Sequence, residues 1–312
     1  MVIYHYPTDE SLNISECVLA LGFFDGVHMA HRDLIDKAAE TARERGLKLG
    51  IFTFGSKSAI KADAERLYND AEKADIFSDL GADFTVIADF KAIAHMSAED
   101  FVNDLLVRDL NCRVCVAGFN FRFGRGAAGN SDMLTALMEK AGGEARICEE
   151  ITAKGVTLSA TLIRSLISEG EIEQANEYLG APYYIIGRVL HGRSDGRKIG
   201  FPTINMTIEE GRIIPKRGVY RTAVVIDGKL YSGVSNVGVC PTFEGSEVRL
   251  ETHVIDYDGD LYGREMRVYL LGYLREERKF DSIDLLKGQI EYDKNRAIKE
   301  NGEIKWQELG LK

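Results

Sequence analysis

The residues of this 312-residue chain best suited to chemistry fall into a few short strings. The first is Gly22-Phe23-Phe24-Asp25-Gly26-Val27-His28-Met29-Ala30-His31, which follows an apolar run and opens an amphipathic one. A strand-loop-helix junction of this kind presents free N–H groups and the positive end of a helix dipole, which together hold anions. Gly22 and Gly26 let the backbone come close to a ligand, and His28 and His31, three apart at the helix start, can both donate to phosphate oxygens. The second string is Gly192-Arg193-Ser194-Asp195-Gly196-Arg197-Lys198-Ile199-Gly200-Phe201-Pro202-Thr203-Ile204-Asn205. Glycines at every fourth position, basic residues between them and a rigid Pro202 describe a backbone loop able to wrap phosphates. It lacks the G-K-[ST] ending of a Walker A loop. Thr203 and Asn205 offer hard oxygen ligands suited to Mg²⁺.

Other strings are less specific by themselves. Gly118-Phe119-Asn120-Phe121-Arg122-Phe123-Gly124 is a strand end running into a Gly-rich loop, and its phenylalanines, two apart, equally describe an alternating buried face. Ser159-Ala160-Thr161-Leu162-Ile163-Arg164 reads locally as a helix N-cap followed by an Arg one turn on. Glu251 stands in an alternating run, Arg249 to Gly263, that reads as a strand and then a turn. Cys112 and Cys115 have C-x-x-C spacing but lie in an apolar run that reads as a buried strand, and no second Cys or His pair completes a zinc site.

These strings must be held by two kinds of scaffold. A chain of this length with 45% apolar residues predicts about two domains, each with its own core. From residue 17 to about 180, apolar runs alternate with amphipathic stretches, the pattern of βα units on a parallel sheet. Strands are predicted at Val18–Phe23, Leu47–Phe54, Phe84–Ala88, Val114–Gly118 and Ala145–Cys148. Helices are predicted at His31–Arg45, Ala64–Leu80, Ala98–Asp109, Asp132–Ala141 and Glu171–Leu179. Ser97 and Asp100 have the spacing of a capping box. After Gly180-Ala181-Pro182 the chain turns to Thr-, Val- and Tyr-rich runs, and Asp227-Gly228 and Asp258-Gly259 supply hairpin turns. That half predicts a small antiparallel β-barrel, closed by a helix over Asp284–Ile298.

Composition narrows the class of partner. Lys and Arg number 39 against 49 Asp and Glu, a net charge of −10 that disfavours a nucleic-acid binder. The first ten residues lack a basic n-region and an apolar h-region, and the apolar run Cys17 to Phe24 is far shorter than the ~20 residues of a membrane span. Five scattered cysteines read as reduced thiols. A cytoplasmic protein, with no nucleic-acid or membrane partner, is the expectation. Oligomeric state is left open.

The glycine- and histidine-bearing string resembles the G-x-F-D-G-x-H-x-G-H form of the nucleotidyltransferase signature, found in the FMN adenylyltransferase module of bacterial bifunctional riboflavin kinase/FAD synthetases. Ser159 to Arg164 resembles the S-S-T-x-x-R motif of that module, and Gly118 to Gly124 its G-x-D-F-x-F-G loop. Gly196 to Asn205 resembles the G-x-x-x-G-x-P-T-x-N motif of riboflavin kinase. The resemblance implies a Rossmann-like, nucleotidyltransferase-like α/β domain over residues 1–180 and a riboflavin kinase barrel over 181–312. It implies FMN made from riboflavin and ATP with release of ADP, then FAD and pyrophosphate from FMN and a second ATP. His28 and His31 would stabilise the transferring phosphoryl group. Gly22, Asp25, Gly26, Ser159, Thr161 and Arg164 would hold ATP in the first domain, as Gly196, Gly200, Pro202 and Asn236 would in the second. Asn120, Phe121 and Arg275 would face flavin, Thr203 and Asn205 would hold Mg²⁺, and Glu251 would be the general base for the ribityl hydroxyl. The first domain departs from the family pattern: Ala30 replaces Gly, Asn120 replaces Asp, Ala127 replaces Arg, Ala160 replaces Ser, and Thr53 to Ser58 replaces T-F-x-P-H-P. Weak adenylylation is therefore expected. The alternatives are a riboflavin kinase with a degenerate first domain and a flavin-binding regulatory protein.

Overall fold

The computed structural model describes all residues except 10–11, 56–64, 154, 192–194, 243–244 and 303–312. The chain divides into two compact units, Met1–Ala160 and Thr161–Lys312.

In the first unit, strands β1 (Val2–Tyr6), β2 (Cys17–Leu21), β3 (Lys48–Phe54), β4 (Phe84–Ala88), β5 (Cys112–Gly118) and β6 (Glu144–Cys148) form one parallel sheet in the order β1-β4-β3-β2-β5-β6. Its central strand β2 is buried along its whole length, which is why it reads as an unbroken apolar run. Helices α1 (Met29–Arg45), α2 (Asp70–Asp79), α3 (Phe90–Ile93), α4 (Ala98–Asp100) and α5 (Ser131–Lys140) connect the strands. Beyond α4 the helix widens over Phe101–Asp109 to bonds that span five residues, as where the Leu110 N–H donates to the Leu105 carbonyl at 3.0 Å. The Ser97–Asp100 capping box forms as expected. Helix α2 starts later than the predicted Ala64, because Asn69 and Glu72 make a reciprocal capping box there; the first residue of the prediction lies outside the described residues. Strand β1 was not anticipated: it is a short, largely exposed edge strand whose apolar residues Val2 and Ile3 lie open to solvent. The small hairpin of β7 (Thr152–Ala153) and β8 (Val156–Thr157) also went unforeseen. Cys112 and Cys115 are buried in β5, and burial pushes the Cys115 thiol up to about 12, so they pack as neutral thiols. Among the described residues no group of three His, Cys, Asp or Glu could hold a metal ion.

The chain visits β2, β3 and β4 in one direction across the sheet, then β5 and β6 in the other. The order therefore reverses between β2 and β5, and a crevice opens at the carboxyl ends of those two strands. The loops after β2 and β5 carry the first and third of the strings singled out above.

The second unit holds α6 (Ala160–Glu169, whose first residue closes the first unit), α7 (Ile172–Leu179), β9 (Tyr184–Arg188), α8 (Asp195–Lys198) and β10 (Ile204–Thr207). Strands β11 (Gly218–Ile226), β12 (Lys229–Thr242), β13 (Gly245–Val254) and β14 (Glu265–Arg275) follow, and α9 (Ile283–Gly302) ends it. The sheet order is β10-β13-β12-β11-β14-β9, antiparallel throughout. A bridge between Leu190 and Asn205 joins its two edges, so the sheet is a nearly closed barrel. Asp227 and Gly228 take φ values of 50° and 74° and form the tight β11–β12 turn. Asp258-Gly259 does not make a hairpin. Strands β13 and β14 are not neighbours in the sheet, and positive φ in their connection falls on Asp256 and Gly263.

Candidate active sites

In the first unit the chain leaves β2 through a contorted loop, with positive φ at Phe24 (50°), Gly26 (83°) and Val27 (42°). Packing compensates this strain: Phe24 is fully buried, its ring edge-on to Phe77 at 5.6 Å and to His31 at 5.2 Å. Only glycine fits at position 22, since a Cβ there would lie 2.8 Å from the Phe24 ring. The loop ends at His28, the N-cap of α1, whose side chain makes no capping hydrogen bond. The imidazoles of His28 and His31 stack at 3.8 Å and 15°, and the buried Nδ1 of each lacks a partner among the described residues. Burial pushes His28 down to about 4. It holds His31 well below the usual imidazole value, with His28 adding to the effect. Two neutral rings with unpaired nitrogens thus stand at a helix N-terminus, ready to meet an oxyanion.

These histidines face a cavity of about 700 Å³. Gly22, Asp25, His28 and His31 line it from the β2 loop, Asn120 and Phe121 from the β5 loop, and Ser159 from the end of the unit. Gly26 turns the loop without lining the cavity. Ala30, Ala127 and Ala160, the small residues at positions of departure, also line it. The three phenylalanines after Gly118 do not form one buried face. The Phe121 N–H turns back to the Gly118 carbonyl at 2.9 Å, leaving Phe119 exposed and Phe123 buried. Thr161 and Arg164 lie in α6 within the second unit, where Arg164 donates to the Thr161 hydroxyl at 3.2 Å. Sequence reasoning missed Lys73, a buried ammonium that donates to the Phe54 carbonyl at 3.0 Å and pairs with Asp70 at 3.5 Å. Its place in a charged helical stretch gave no sign of burial.

In the barrel, strand register does what no local motif can. Asn205 on β10 pairs with Glu251 on β13, Glu251 with Asn236 on β12, Asn236 with Val219 on β11, and Val219 with Arg275 on β14. Directly opposed residues point to the same face, so Asn205, Glu251, Asn236 and Arg275 form one transverse row on it. Arg275 is fixed at the end of the row by Asp293 of α9, with nitrogen to oxygen distances of 2.8 and 2.9 Å. The Asn236 amide donates to Glu277 at 2.9 Å, while its buried Oδ1 has no donor among the described residues. Thr203 sits beside the row, its hydroxyl 3.5 Å from the Asn205 amide nitrogen.

Thr203 also lines a second cavity, of about 570 Å³, together with Arg197, Pro202, Thr252, Tyr257 and Asp260. The loop that leads to it folds back where the Phe201 N–H donates to the Gly196 carbonyl at 2.8 Å. A Cβ at Gly196 would lie 2.4 Å from the Phe201 carbonyl oxygen, and Gly200 takes φ 92°, so both glycines are structural requirements. A short helix, α8, interrupts what the spacing predicts as an open loop. Gly192 to Ser194 lie outside the described residues.

A parallel α/β unit with two histidines on a helix terminus at its switch point, followed by a β-barrel with a carboxylate and amide row, defines a two-unit phosphate-handling protein. Comparison with known proteins narrows this. The FAD synthetase family matches residues 10–162 and the riboflavin kinase family residues 179–300. The chain is 35% identical to the bifunctional riboflavin kinase/FMN adenylyltransferase of Listeria monocytogenes, over 94% of this chain and 95% of that one. It is 35% identical to the protein of the same name from Escherichia coli K12, over 90% and 91%. A crystal structure described as a macrolide-efflux protein from Streptococcus pneumoniae is 30% identical with a TM-score of 0.86, covering 95% of this chain and 99% of that one. Among the described residues no helix is long and apolar enough to cross a membrane. The chain belongs to the bifunctional riboflavin kinase/FMN adenylyltransferase family.

Proposed function

We propose that the barrel phosphorylates riboflavin to FMN and that the α/β unit adenylylates FMN to FAD, with ATP as the donor in both reactions. The observation that carries the reading is the transverse row Asn205–Glu251–Asn236–Arg275, which gathers four residues from four strands onto one face of the barrel, with Thr203 next to Asn205. Glu251 takes the proton from the ribityl 5′-hydroxyl, that oxygen bonds to the γ-phosphorus of ATP, and ADP leaves. Asn236, with its unpaired Oδ1, and Arg275, held by Asp293, orient the substrates around Glu251. Thr203 and Asn205 stand side by side, the amide nitrogen toward the hydroxyl, and each carries a neutral oxygen of the kind that fits Mg²⁺, which takes few protein ligands and keeps phosphate and water for the rest. Held there, Mg²⁺ would neutralise phosphate charge during transfer.

In the α/β unit a phosphate oxygen of FMN attacks the α-phosphorus of ATP and pyrophosphate leaves. His28 and His31 donate hydrogen bonds to the charge that develops on the transferring group, the helix N-terminus adding its dipole. Asp25 and Ser159 border the same cavity, and Asn120 and Phe121 supply its opposite side for the flavin. Thr161 and Arg164 are proposed to engage ATP phosphates when substrate binds.

The test is to incubate the full chain with riboflavin, ATP and Mg²⁺ and to separate FMN from FAD. Both products are expected. Glu251→Gln should lower FMN formation by about 10²- to 10⁴-fold while still converting supplied FMN to FAD. Retention of more than about half the kinase rate would remove Glu251 from the mechanism, and no FAD from either protein would reduce the function to the kinase alone.

A further inference from the structure

We propose that His253 is a positioning residue of the kinase site, tying the strand that carries Glu251 to the loop that carries Thr203; this rests on the kinase reading of the barrel. Glu251 and His253 are two apart on β13, so they point to the same face of the sheet. The His253 Nδ1 lies 2.8 Å from the Pro202 carbonyl oxygen. A carbonyl can only accept, so Nδ1 carries the hydrogen and donates it. That carbonyl belongs to the Pro202–Thr203 peptide, a rigid plane from which Thr203 extends. Proline restricts the backbone on the other side of the same plane. The ring of Phe201 stands edge-on to the imidazole at 5.5 Å and 81°, limiting its rotation.

The consequence is geometric. Pro202 and Thr203 form part of the wall of the 570 Å³ cavity, which β13 lines with Thr252 and Val254, whereas Glu251 points to the other face of that strand. The His253 hydrogen bond reaches from the base-bearing strand to that wall within two residues of both groups. It sets the separation between the general base and the segment that would hold Mg²⁺ and phosphate. A displacement of about 1 Å between reacting groups can cost about 10²-fold in rate. His253 acts through Pro202, not on the reacting atoms.

The experiment compares full-length wild type, His253→Phe and His253→Asn. Phe keeps the ring and loses the donor, while the Asn side-chain amide can donate from nearly the place of Nδ1. His253→Phe should lower kcat for FMN formation at least tenfold and raise KM for ATP with Mg²⁺, leaving KM for riboflavin within about twofold. His253→Asn should recover most of the loss. Conversion of supplied FMN to FAD, a property of the other unit, should be unchanged in both. Nitrogen-15 shifts of the wild-type imidazole should show the proton on Nδ1. A kcat within twofold of wild type for His253→Phe would overturn the proposal. An Asn variant as poor as Phe, or a bare Nδ1, would do the same. If wild type makes no FMN, the kinase reading fails instead. Should His253→Phe not fold, the Asn variant and the tautomer decide the matter.

Discussion

His28 and His31 carry a cost in the free protein that their ligand would relieve. With its folded value near 4 against 6.5 for a free imidazole, His28 stays neutral in the folded chain while it protonates in the unfolded one. Between those values the unfolded state binds more protons, so stability falls as pH drops through 6.5, and the loss is complete near 4. At pH 5 the loss from this residue is about 2 kcal/mol. Calorimetry at pH 7 and pH 5 should show wild type losing more stability than His28→Asn, by roughly that amount; equal losses would mean that His28 is not desolvated. Ala30 is the second residue-scale case. It lines the cavity one position from His31, at the start of α1, and on the proposed function its methyl would reduce the room for a nucleotide. Ala30→Gly is expected to raise the rate of FAD formation from FMN, measured by chromatography, and His28→Ala to abolish it. A wild type that makes FAD as fast as FMN would show that the methyl does not matter.

At the scale of elements, two loops and one sheet register place the chemistry. The β2 and β5 loops meet because the strand order reverses between them, and their motifs were legible because each is a contiguous string. The barrel row was not legible as a row: Asn205, Asn236, Glu251 and Arg275 are spread over seventy residues of sequence, and which of them oppose one another depends on hairpin and edge pairing. The loop before β10 gives the element-scale prediction. Gly196→Ala places a methyl against the Phe201 carbonyl, a backbone atom that cannot step aside without moving Pro202 and Thr203. Kinase activity should fall at least tenfold while FAD formation from supplied FMN is retained, and an unimpaired kinase would show that the loop is not held in this form.

For the whole molecule, each half should work alone. The expected division at Ala181 remains a proposal, and the contacts of α6 and α7 bear on it. The Asn176 amide donates to the Leu270 carbonyl at 2.9 Å, and Asn176 accepts from the Tyr183 N–H at 2.7 Å. Glu173 pairs with Arg221 at 3.4 Å, and the Lys216 N–H donates to the Ile167 carbonyl at 3.1 Å. A fragment from Thr161 keeps these bonds and one from Ala181 loses them. Both are expected to phosphorylate riboflavin without making FAD. The longer one should melt several degrees higher, since hydrogen bonds of this kind contribute about 1 kcal/mol each. An inactive Ala181 fragment beside an active Thr161 fragment would place the two helices inside the barrel's folding unit.

The sequence by itself determined the two fold classes, the capping box at Ser97, the tight turn at Asp227-Gly228 and the strings that carry His28, His31 and Thr203. All of these are short-range: hydrophobic period, turn chemistry and contiguous motifs act within a few residues. Only the tertiary structure decided that β1 completes the parallel sheet from its edge, and that Asp258-Gly259 is a connection between non-adjacent strands. It also decided that Lys73 is buried under Phe54, that Thr161 and Arg164 belong to the second unit, and that His253 reaches Pro202. Each of these depends on partners tens of residues away, and pairing over such distances is set by how whole faces pack, which no local pattern encodes.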